Sequence, residues 1–301
     1  MPAQPLPAVD VPYVTRLLAE PAAGPPPAPL PMRLPGTGVT VRGGHGARRT
    51  LLLAVDAGDT AGRAAAHAAV KAVADAGFEL ADAVSVAMGA GGGEDGPRPD
   101  GVVVLAPTAL QVGLGHAGLA RLEVTTEGPD AVLALGPVLA RLEALAGELR
   151  RRPRHPLLGT RSITAEAVSG GAGGCRLLLE RRTHPGETEA RVVTELRQGY
   201  GLEARLVDWQ PAFETRRDAP LAATLAGARR AALGTEPAYV AVEGWTTAAR
   251  WAERGVDAAI IGLGAGAGAA GETGRVCDLA RILAETAVRW CGQPALGRHR
   301  S

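Results

Sequence analysis

The sequence DAGDTAGRAAAHAAVKA, residues 56–72, decides the fold class of this chain. It follows an apolar run, TLLLAV at 50–55, which is typical of a buried strand, and it continues as an alanine-rich helical pattern over 61–76. Two further apolar strands are predicted, AVSVAM at 83–88 and GVVVLA at 101–106. Because strands that alternate with helices form parallel sheets covered by helices, we expect an α/β fold with a doubly wound, mostly parallel sheet.

A different pattern interrupts this α/β alternation after residue 110. It predicts the strand QVGLGHAGLARLEVTTEG at 111–128, a helix at 130–152 with a kink at Gly136-Pro137, strands at 162–171 and 175–183, a helix at 187–201 and a strand at 202–210. The order β-α-β-β-α-β is that of a ferredoxin-like α+β domain.

The α/β pattern resumes after Pro211 and ends in a helix predicted over 277–292, so one domain is interrupted by a smaller one. We predict an N-terminal extension at 1–36, rich in proline, and an α/β metallopeptidase-like domain formed by 37–110 and 211–301. The inserted ferredoxin-like lid or dimerisation domain is predicted at 111–210, and oligomerisation, with identical or different subunits, is expected to use it.

Composition excludes several classes of protein. The net charge of +1 and the absence of a basic tract with interleaved aromatic residues argue against nucleic acid as a partner. No run reaches eighteen apolar residues, and the N-terminus lacks the pattern of a secretory signal, so we expect no membrane association. Three widely spaced cysteines give no disulfide framework. These features together predict a cytoplasmic protein.

Lysine usage singles out one residue. Lys71 is the only lysine among 32 basic residues, the rest being arginine. Arginine enrichment of this kind is typical of a GC-rich genome, and the remaining lysine is then either accidental or retained because an ammonium group can lose its proton, as a guanidinium cannot.

Several segments, in this order, resemble the zinc aminoacylase and carboxypeptidase family of the succinyl-diaminopimelate desuccinylase and acetylornithine deacetylase type. They are RLPGTG before TLLLAV, LAPTALQVGLGHAGLARLEVTTEG, CRLLLERRTHPGETEARVVTEL and WTTAARWAERGVDAAIIGLGAG. The resemblance covers about residues 31–292. It implies two zinc ions between sheet and lid, and a glutamate that activates a bridging water to cleave an amide.

The metal ligands that the resemblance implies are largely replaced. Alanine stands at or near three ligand positions, at Ala57, Ala106 and Ala270. His67 occupies the position of the bridging aspartate, and the paired acidic residues, Glu94 and Asp95, are displaced along the sequence. The carboxylate bridge of a two-metal site cannot be supplied by the residues that remain, which are the retained Asp59, the substituted His67 and one displaced acidic residue. We therefore expect a degenerate site with no metal and no cofactor.

Four polar residues are the candidate catalytic groups. Asp56 and Asp59 leave the first strand, and His67 and Lys71 share one helix face because they are four residues apart. If the family's geometry holds, all four border the former metal cleft, where they can perform acid–base chemistry without a metal. Two alternatives remain open: they only bind substrate, or Asp59 caps the helix, His67 fills vacated space and Lys71 is solvated.

Candidate substrate-binding residues lie in the inserted domain. His116 in GHAG matches a lid-entry position of the family, and Arg181 and Arg182 in RRTHPGE can recognise a carboxylate, although each also fits a structural role. The glycine-rich loop at 262–274 contains GxGxG outside the usual context of a nucleotide fingerprint, so close approach of its backbone to a substrate is the favoured interpretation.

Three functions are compatible with these features. The first is a metal-independent, non-hydrolytic enzyme of specialised metabolism, such as antibiotic biosynthesis. It would act on an amino-acid derivative, free or on a carrier protein, for example by amine attack that expels an anion and closes an aziridine ring. The second is a non-catalytic subunit that binds a partner enzyme or a metabolite. The third is a residual amide hydrolase.

Overall fold

The computed structural model describes residues 8–19, 38–40, 49–55, 59–76, 84–88, 98–171, 173–264 and 273–292. Contacts divide the chain into two compact units. The first unit comprises Met1–Leu114, Thr215–Val242 and Thr246–Ser301, and the second comprises Gly115–Glu214 and Glu243–Trp245. Asp56, the proline-rich stretch 21–31 and most of the glycine-rich loop lie outside the described residues. The domain limits predicted from the sequence, and a role of 111–210 in oligomerisation, stay predictions.

The first unit alternates strands and helices. Its strands are β1 (Gly38–Thr40), β2 (Leu51–Val55), β3 (Val84–Met88), β4 (Gly101–Leu105), most of β5 (Val112–His116), β11 (Tyr239–Ala241) and β12 (Asp257–Ile261). Its helices are α1 (Val11–Ala19), α2 (Thr60–Asp75), α5 (Pro220–Leu233), α6 (Ala248–Glu253) and α7 (Thr273–Cys291).

The sheet of the first unit has a parallel centre. Strands β3, β2, β4 and β12 are parallel neighbours in that order, whereas β1 pairs with β3 and β5 with β12 in antiparallel fashion. All five residues of β2 and of β4 are buried, as expected for strands covered on both faces. The predicted mixed α/β fold with a mostly parallel sheet is confirmed.

Small residues let the helices of this unit approach closely. The alanine-rich α2 packs against α7 and α1, and α7 also packs against α5. The buried indole of Trp290 on α7 donates from Nε1 to the Thr50 carbonyl over 3.1 Å, which ties this helix to the start of β2.

The second unit has a separate antiparallel sheet. Its elements are the end of β5, β6 (Gly118–Glu127), α3 (Ala131–Arg151), β7 (Ser162–Gly171), β8 (Gly174–Thr183), α4 (Glu189–Thr194) continued by a π turn over Glu195–Gly199, β9 (Ala204–Gln210) and β10 (Phe213–Glu214). The sheet order β7-β8-β6-β9 and the intervening helices give the expected β-α-β-β-α-β arrangement. Helix α3 covers this sheet with a leucine-rich face.

The strand predicted over 111–128 is wrong in one respect, because the chain breaks it at Ala117 into β5 and β6. At the break Gly118 is packed so closely that a Cβ there would lie 2.4 Å from Oγ1 of Thr183 and 2.6 Å from the nitrogen of Ala212. The alternation of residue types is the same on both sides of Ala117, so the pattern alone does not reveal this break.

Two further properties concern the described residues. No helix among them is long and apolar enough to cross a bilayer. Cys175, Cys277 and Cys291 are all buried free thiols.

Candidate active site

The parallel strands of the first unit end level with one another. The register pairs Val55 of β2 with Leu105 of β4, and Leu105 with Ile261 of β12. The residues that follow these strands therefore meet at one edge of the sheet, which we call the carboxyl edge. This is the position at which open α/β sheets usually bind ligands.

Asp59 holds the beginning of α2 at this edge. Its Oδ1 atom accepts a hydrogen bond from the backbone N–H of Gly62 over 2.8 Å, so it is the N-cap of the helix. The contact requires glycine, because a Cβ on Gly62 would lie 2.1 Å from Oδ2 of Asp59. The capping role considered for Asp59 is therefore present, and the carboxylate lies where α2 leaves the carboxyl edge.

His67 and Lys71 lie further along α2. At 1.5 Å per residue, they are about 12 Å and about 18 Å along the helix from Asp59. His67 is buried, and burial followed by the charge of Arg63 lowers the pKa of its imidazole, which favours the neutral ring. A single small substrate cannot contact Asp59 and Lys71 together.

Lys71 has partners within its own unit. Its ammonium pairs with Asp75 one turn further along and lies 5.7 Å from the ring centroid of Tyr13 on α1. The hydrogen bond from Lys71 to Asp75 is the largest influence on its pKa and raises it. These contacts favour a charged lysine that joins α1 to α2.

A strained turn follows β4 at the carboxyl edge. Ala109 and Leu110 have φ angles of 53° and 62°, in the left-handed region that residues with a side chain rarely adopt. The turn is held by hydrogen bonds from the N–H groups of Thr108 and Leu110 to the carbonyls of Leu263 and Gly262, over 3.0 and 2.7 Å. Strain of this kind is concentrated at functional sites, which makes the turn a candidate part of one.

Arg275 adds a cation to the same edge. It lies in the first turn of α7, its side chain is exposed, and it makes no ion pair with any residue of the described ranges. One Nη atom lies 3.7 Å from the point that a Cβ on Gly264 would occupy, and the Cβ of Ala109 is 4.0 Å from that point. The sequence pattern predicts that this helix starts at residue 277, so it does not single out Arg275.

Those residues at this edge that the structure describes do not fit a pair of zinc ions. Ala106 directly follows β4 and presents a methyl group where the resemblance implies an acidic ligand. Asp59 uses one oxygen as a helix cap, and His67 is about 12 Å further along α2. No cluster of three or more potential ligands occurs in the part of the chain that the structure describes. Ala57, Glu94, Asp95 and Ala270 lie outside that part.

His116, in the second unit, is fully buried. Its ring lies 5.8 Å from that of Phe213 and 6.3 Å from that of Trp245, and Nδ1 is 3.0 Å from the carbonyl oxygen of Ala117. These contacts fit a packing role at the strand break.

Arg181 and Arg182 have opposite environments because successive residues of a strand face opposite ways. Arg181 is fully buried, and its two terminal nitrogens are bonded to Glu187 and Glu195, so a substrate carboxylate would have to displace one of these partners. Arg182 is exposed, and its ion pair among the described residues is a 3.5 Å contact with Glu180. The substrate roles of His116, Arg181 and Arg182 stay predictions.

Searches with the sequence found no matching family model and no matching curated protein. Solved structures do match. An M20 family metallo-carboxypeptidase from Sulfolobus solfataricus is 13% identical with a TM-score of 0.65, over 87% of this chain and 91% of that one. A hydantoinase/carbamoylase family amidase from Burkholderia phymatum is 13% identical with a TM-score of 0.63, over 96% of this chain and 99% of that one. The dipeptidase Dug1p from Saccharomyces cerevisiae is 12% identical with a TM-score of 0.62, over 90% of this chain and 86% of that one.

The chain therefore has the fold of the M20 metallopeptidases and related amidases. The resemblance drawn from its sequence motifs is confirmed at the level of the fold.

Proposed function

We propose that this chain is a metal-independent enzyme that acts at the carboxyl edge on an amino-acid derivative by a non-hydrolytic step. The observation that carries the proposal is Ala106. It directly follows β4, the strand between β2 and β12, and its methyl group stands where the resemblance implies a metal-binding carboxylate. An enzyme that has this fold without this ligand relies on the chemistry of its remaining polar groups.

Ring closure by an amine is one such reaction. The lone pair of the substrate amine attacks a neighbouring carbon that bears a sulfate or phosphate ester, a C–N bond forms, and the C–O bond breaks. The leaving anion keeps the bonding pair, and the amine proton passes to a carboxylate. Asp59, which lies at the carboxyl edge, is the proposed base, with Asp56, three residues earlier in the sequence, as the second acid.

Arg275 is the proposed partner of the leaving anion. It is exposed, lies beside Gly264 and Ala109, and extends from the first turn of a long helix, where the helix dipole also favours negative charge. A guanidinium suits the oxygens of sulfate or phosphate because it donates in a planar fork. We assign this role to Arg275 rather than to His67 or Lys71, because those two residues lie further along α2.

A residual amide hydrolase is the second candidate function. The observation that favours it is that the similar solved structures include peptidases and amidases. Delivery of the substrate on a carrier protein, and assembly with identical or different subunits, stay predictions for either candidate.

The test compares two kinds of probe on the purified full-length protein. O-Sulfo-L-serine carries an amine next to a carbon with a sulfate ester, so closure would release sulfate and aziridine-2-carboxylate. N-Acetyl amino acids report amide cleavage through released acetate. We expect sulfate release that persists in a chelator and falls by at least about 100-fold in Asp59→Asn, which keeps a capping oxygen.

Asp75→Asn is the matched control, because it removes an exposed carboxylate from the far end of the same helix. Full sulfate release by Asp59→Asn would overturn the role of Asp59. Acetate release that needs added zinc, without sulfate release, would overturn the proposed function in favour of the hydrolase.

A further inference from the structure

The second unit contains a cleft of about 440 Å³ that the candidate active site does not use. We call it the arginine cleft. It lies between the end of α3, the start of β7, the turn after β8 and helix α4. The lining residues that bear on ligand binding are Arg152, Arg161, Gly186, Glu187, Arg191 and Glu195.

The two glutamates of the cleft are already shared among arginines. Glu187 accepts from Nε of Arg161 over 2.8 Å and from Nη2 of the buried Arg181 over 2.6 Å. Glu195 is bonded to both Arg152 and Arg181. The negative charge at the cleft is therefore neutralised from within the unit.

An excess of positive charge remains. Arg152, Arg161, Arg181 and Arg191 outnumber the two glutamates by two charges. One charge remains even when Glu148 is counted, whose half-exposed side chain also pairs with Arg152. An anion that enters this cleft meets net positive charge.

Several guanidinium donors at the cleft are unused. Of the described residues, none accepts a hydrogen bond from the side chain of Arg191 or from the Nη groups of Arg161. Arg152 donates to the described residues through Nη2 alone. Three guanidinium groups thus line one concave surface and keep N–H donors that no described residue accepts, which is the arrangement that recognises oxyanions.

The wall of the cleft is held in place by a closed turn. The backbone N–H of Glu187 donates to the His184 carbonyl over 3.1 Å, the N–H of His184 donates to Oε2 of Glu187 over 2.8 Å, and Gly186 supplies the positive φ of 85°. The imidazole of His184 is buried, and within the described residues its ring nitrogens have no hydrogen-bond partner. A preorganised wall lowers the entropic cost of binding.

We propose that the arginine cleft binds the oxyanion group of a small molecule, with Arg191, Arg161 and Arg152 as its donors. The shared ligand chemistry is a phosphate, sulfate or carboxylate group, which three guanidinium forks can hold with parallel hydrogen bonds. No residue of the cleft belongs to the first unit, so the proposal is independent of the chemistry proposed for the carboxyl edge.

Isothermal titration calorimetry of the full-length protein in low-chloride buffer tests the proposal, with inorganic phosphate, sodium sulfate and succinate as separate probes. We expect saturable binding of at least one probe. Arg191→Ala should weaken it by about tenfold, and Arg191→Lys should restore part of the loss, because lysine keeps the charge without the fork.

Arg197→Ala is the matched control. It removes an exposed arginine that follows α4 in the π turn and lies outside the cleft, where it pairs with exposed Glu203. Binding that is unchanged in this variant supports the cleft, and the probe that binds identifies the class of oxyanion. Equal weakening by Arg191→Ala and Arg197→Ala would show general electrostatic attraction and overturn the proposal, as would the absence of binding by all three probes.

Discussion

The guanidinium of Arg181 donates from Nη2 to Oε1 of Glu187 over 2.6 Å, and the exposed fractions of the two side chains are 0% and 8%. The other terminal nitrogen is bonded to Glu195 in the π turn that follows α4. One buried cation therefore joins β8, the turn after it and the following helical segment.

Removal of this cation should destabilise the second unit strongly. Arg181→Met fits an apolar interior but leaves Glu187 and Glu195 with fewer partners, and loss of one member of a buried ion pair costs about 3 kcal/mol or more. Chemical denaturation followed by circular dichroism measures the loss. Arg182→Met is the control on the opposite face of the strand, and its effect should stay within about 0.5 kcal/mol. Equal effects of the two variants would contradict a structural role of Arg181.

The contact between Asp59 and Gly62 makes a prediction about helix α2. Gly62→Ala places a Cβ 2.1 Å from Oδ2 of Asp59 and should break the cap, at a cost of about 1–2 kcal/mol. Gly147→Ala is the matched change in α3, where a Cβ meets nothing closer than 3.8 Å, and it should stabilise the protein by about 1 kcal/mol. Thermal unfolding measures the change in stability of both variants. A stabilising Gly62→Ala would refute the cap geometry.

The strained turn after β4 makes the opposite prediction for glycine. Ala109 is exposed and has a φ of 53°, so Ala109→Gly should relieve strain and stabilise the chain by about 0.5–1 kcal/mol. Ala140→Gly, at an exposed site within α3, should instead cost about 1 kcal/mol. If both substitutions destabilise to the same extent, the left-handed conformation at Ala109 is not present in solution.

His184 makes stability depend on pH. Burial first, and then the charges of Arg161 and His155, lower the pKa of its imidazole from 6.5 to about 4. The unfolded chain therefore binds the proton more tightly. The contribution of neutral His184 to the free energy of unfolding should be fully present above pH 6.5. It should be lost as the pH decreases towards 4, which lowers the free energy of unfolding by at most about 3 kcal/mol.

The variant His184→Leu should flatten most of this dependence, since it removes the titrating group and two buried nitrogens that lack partners among the described residues. A weaker slope of the same sign should remain from His67, whose pKa is also lowered. Urea denaturation at pH 5 and pH 8 measures both effects. An unchanged slope in His184→Leu would assign the dependence to other groups.

Local pattern was sufficient to predict most elements. The strand at 162–171 was predicted with the bounds of β7, and the helix at 61–76 within one residue of α2, because each has a clear periodicity and clear flanking signals. The break at Ala117 was missed because it depends on Gly118 packing against Thr183, which is 65 residues away in sequence.

The site was harder to predict than the fold. His67 and Lys71 share a helix face, but a shared face does not bring them to the sheet edge. At 1.5 Å per residue they lie about 12 Å and about 18 Å along α2 from Asp59. The left-handed turn at Ala109 and Leu110 contains no glycine or asparagine to signal it. Arg275 was missed because α7 begins four residues before the predicted start at 277.

The central claim is that this chain uses the fold of the M20 metallopeptidases without their pair of zinc ions. The most direct test is the zinc content of the full-length protein, purified without chelator and dialysed against micromolar zinc, measured by elemental mass spectrometry. We expect zinc well below one ion per chain, because Ala106 replaces a ligand and the described residues contain no cluster of three potential ligands. Zinc at about two ions per chain would contradict it and would make the amide hydrolase the better interpretation.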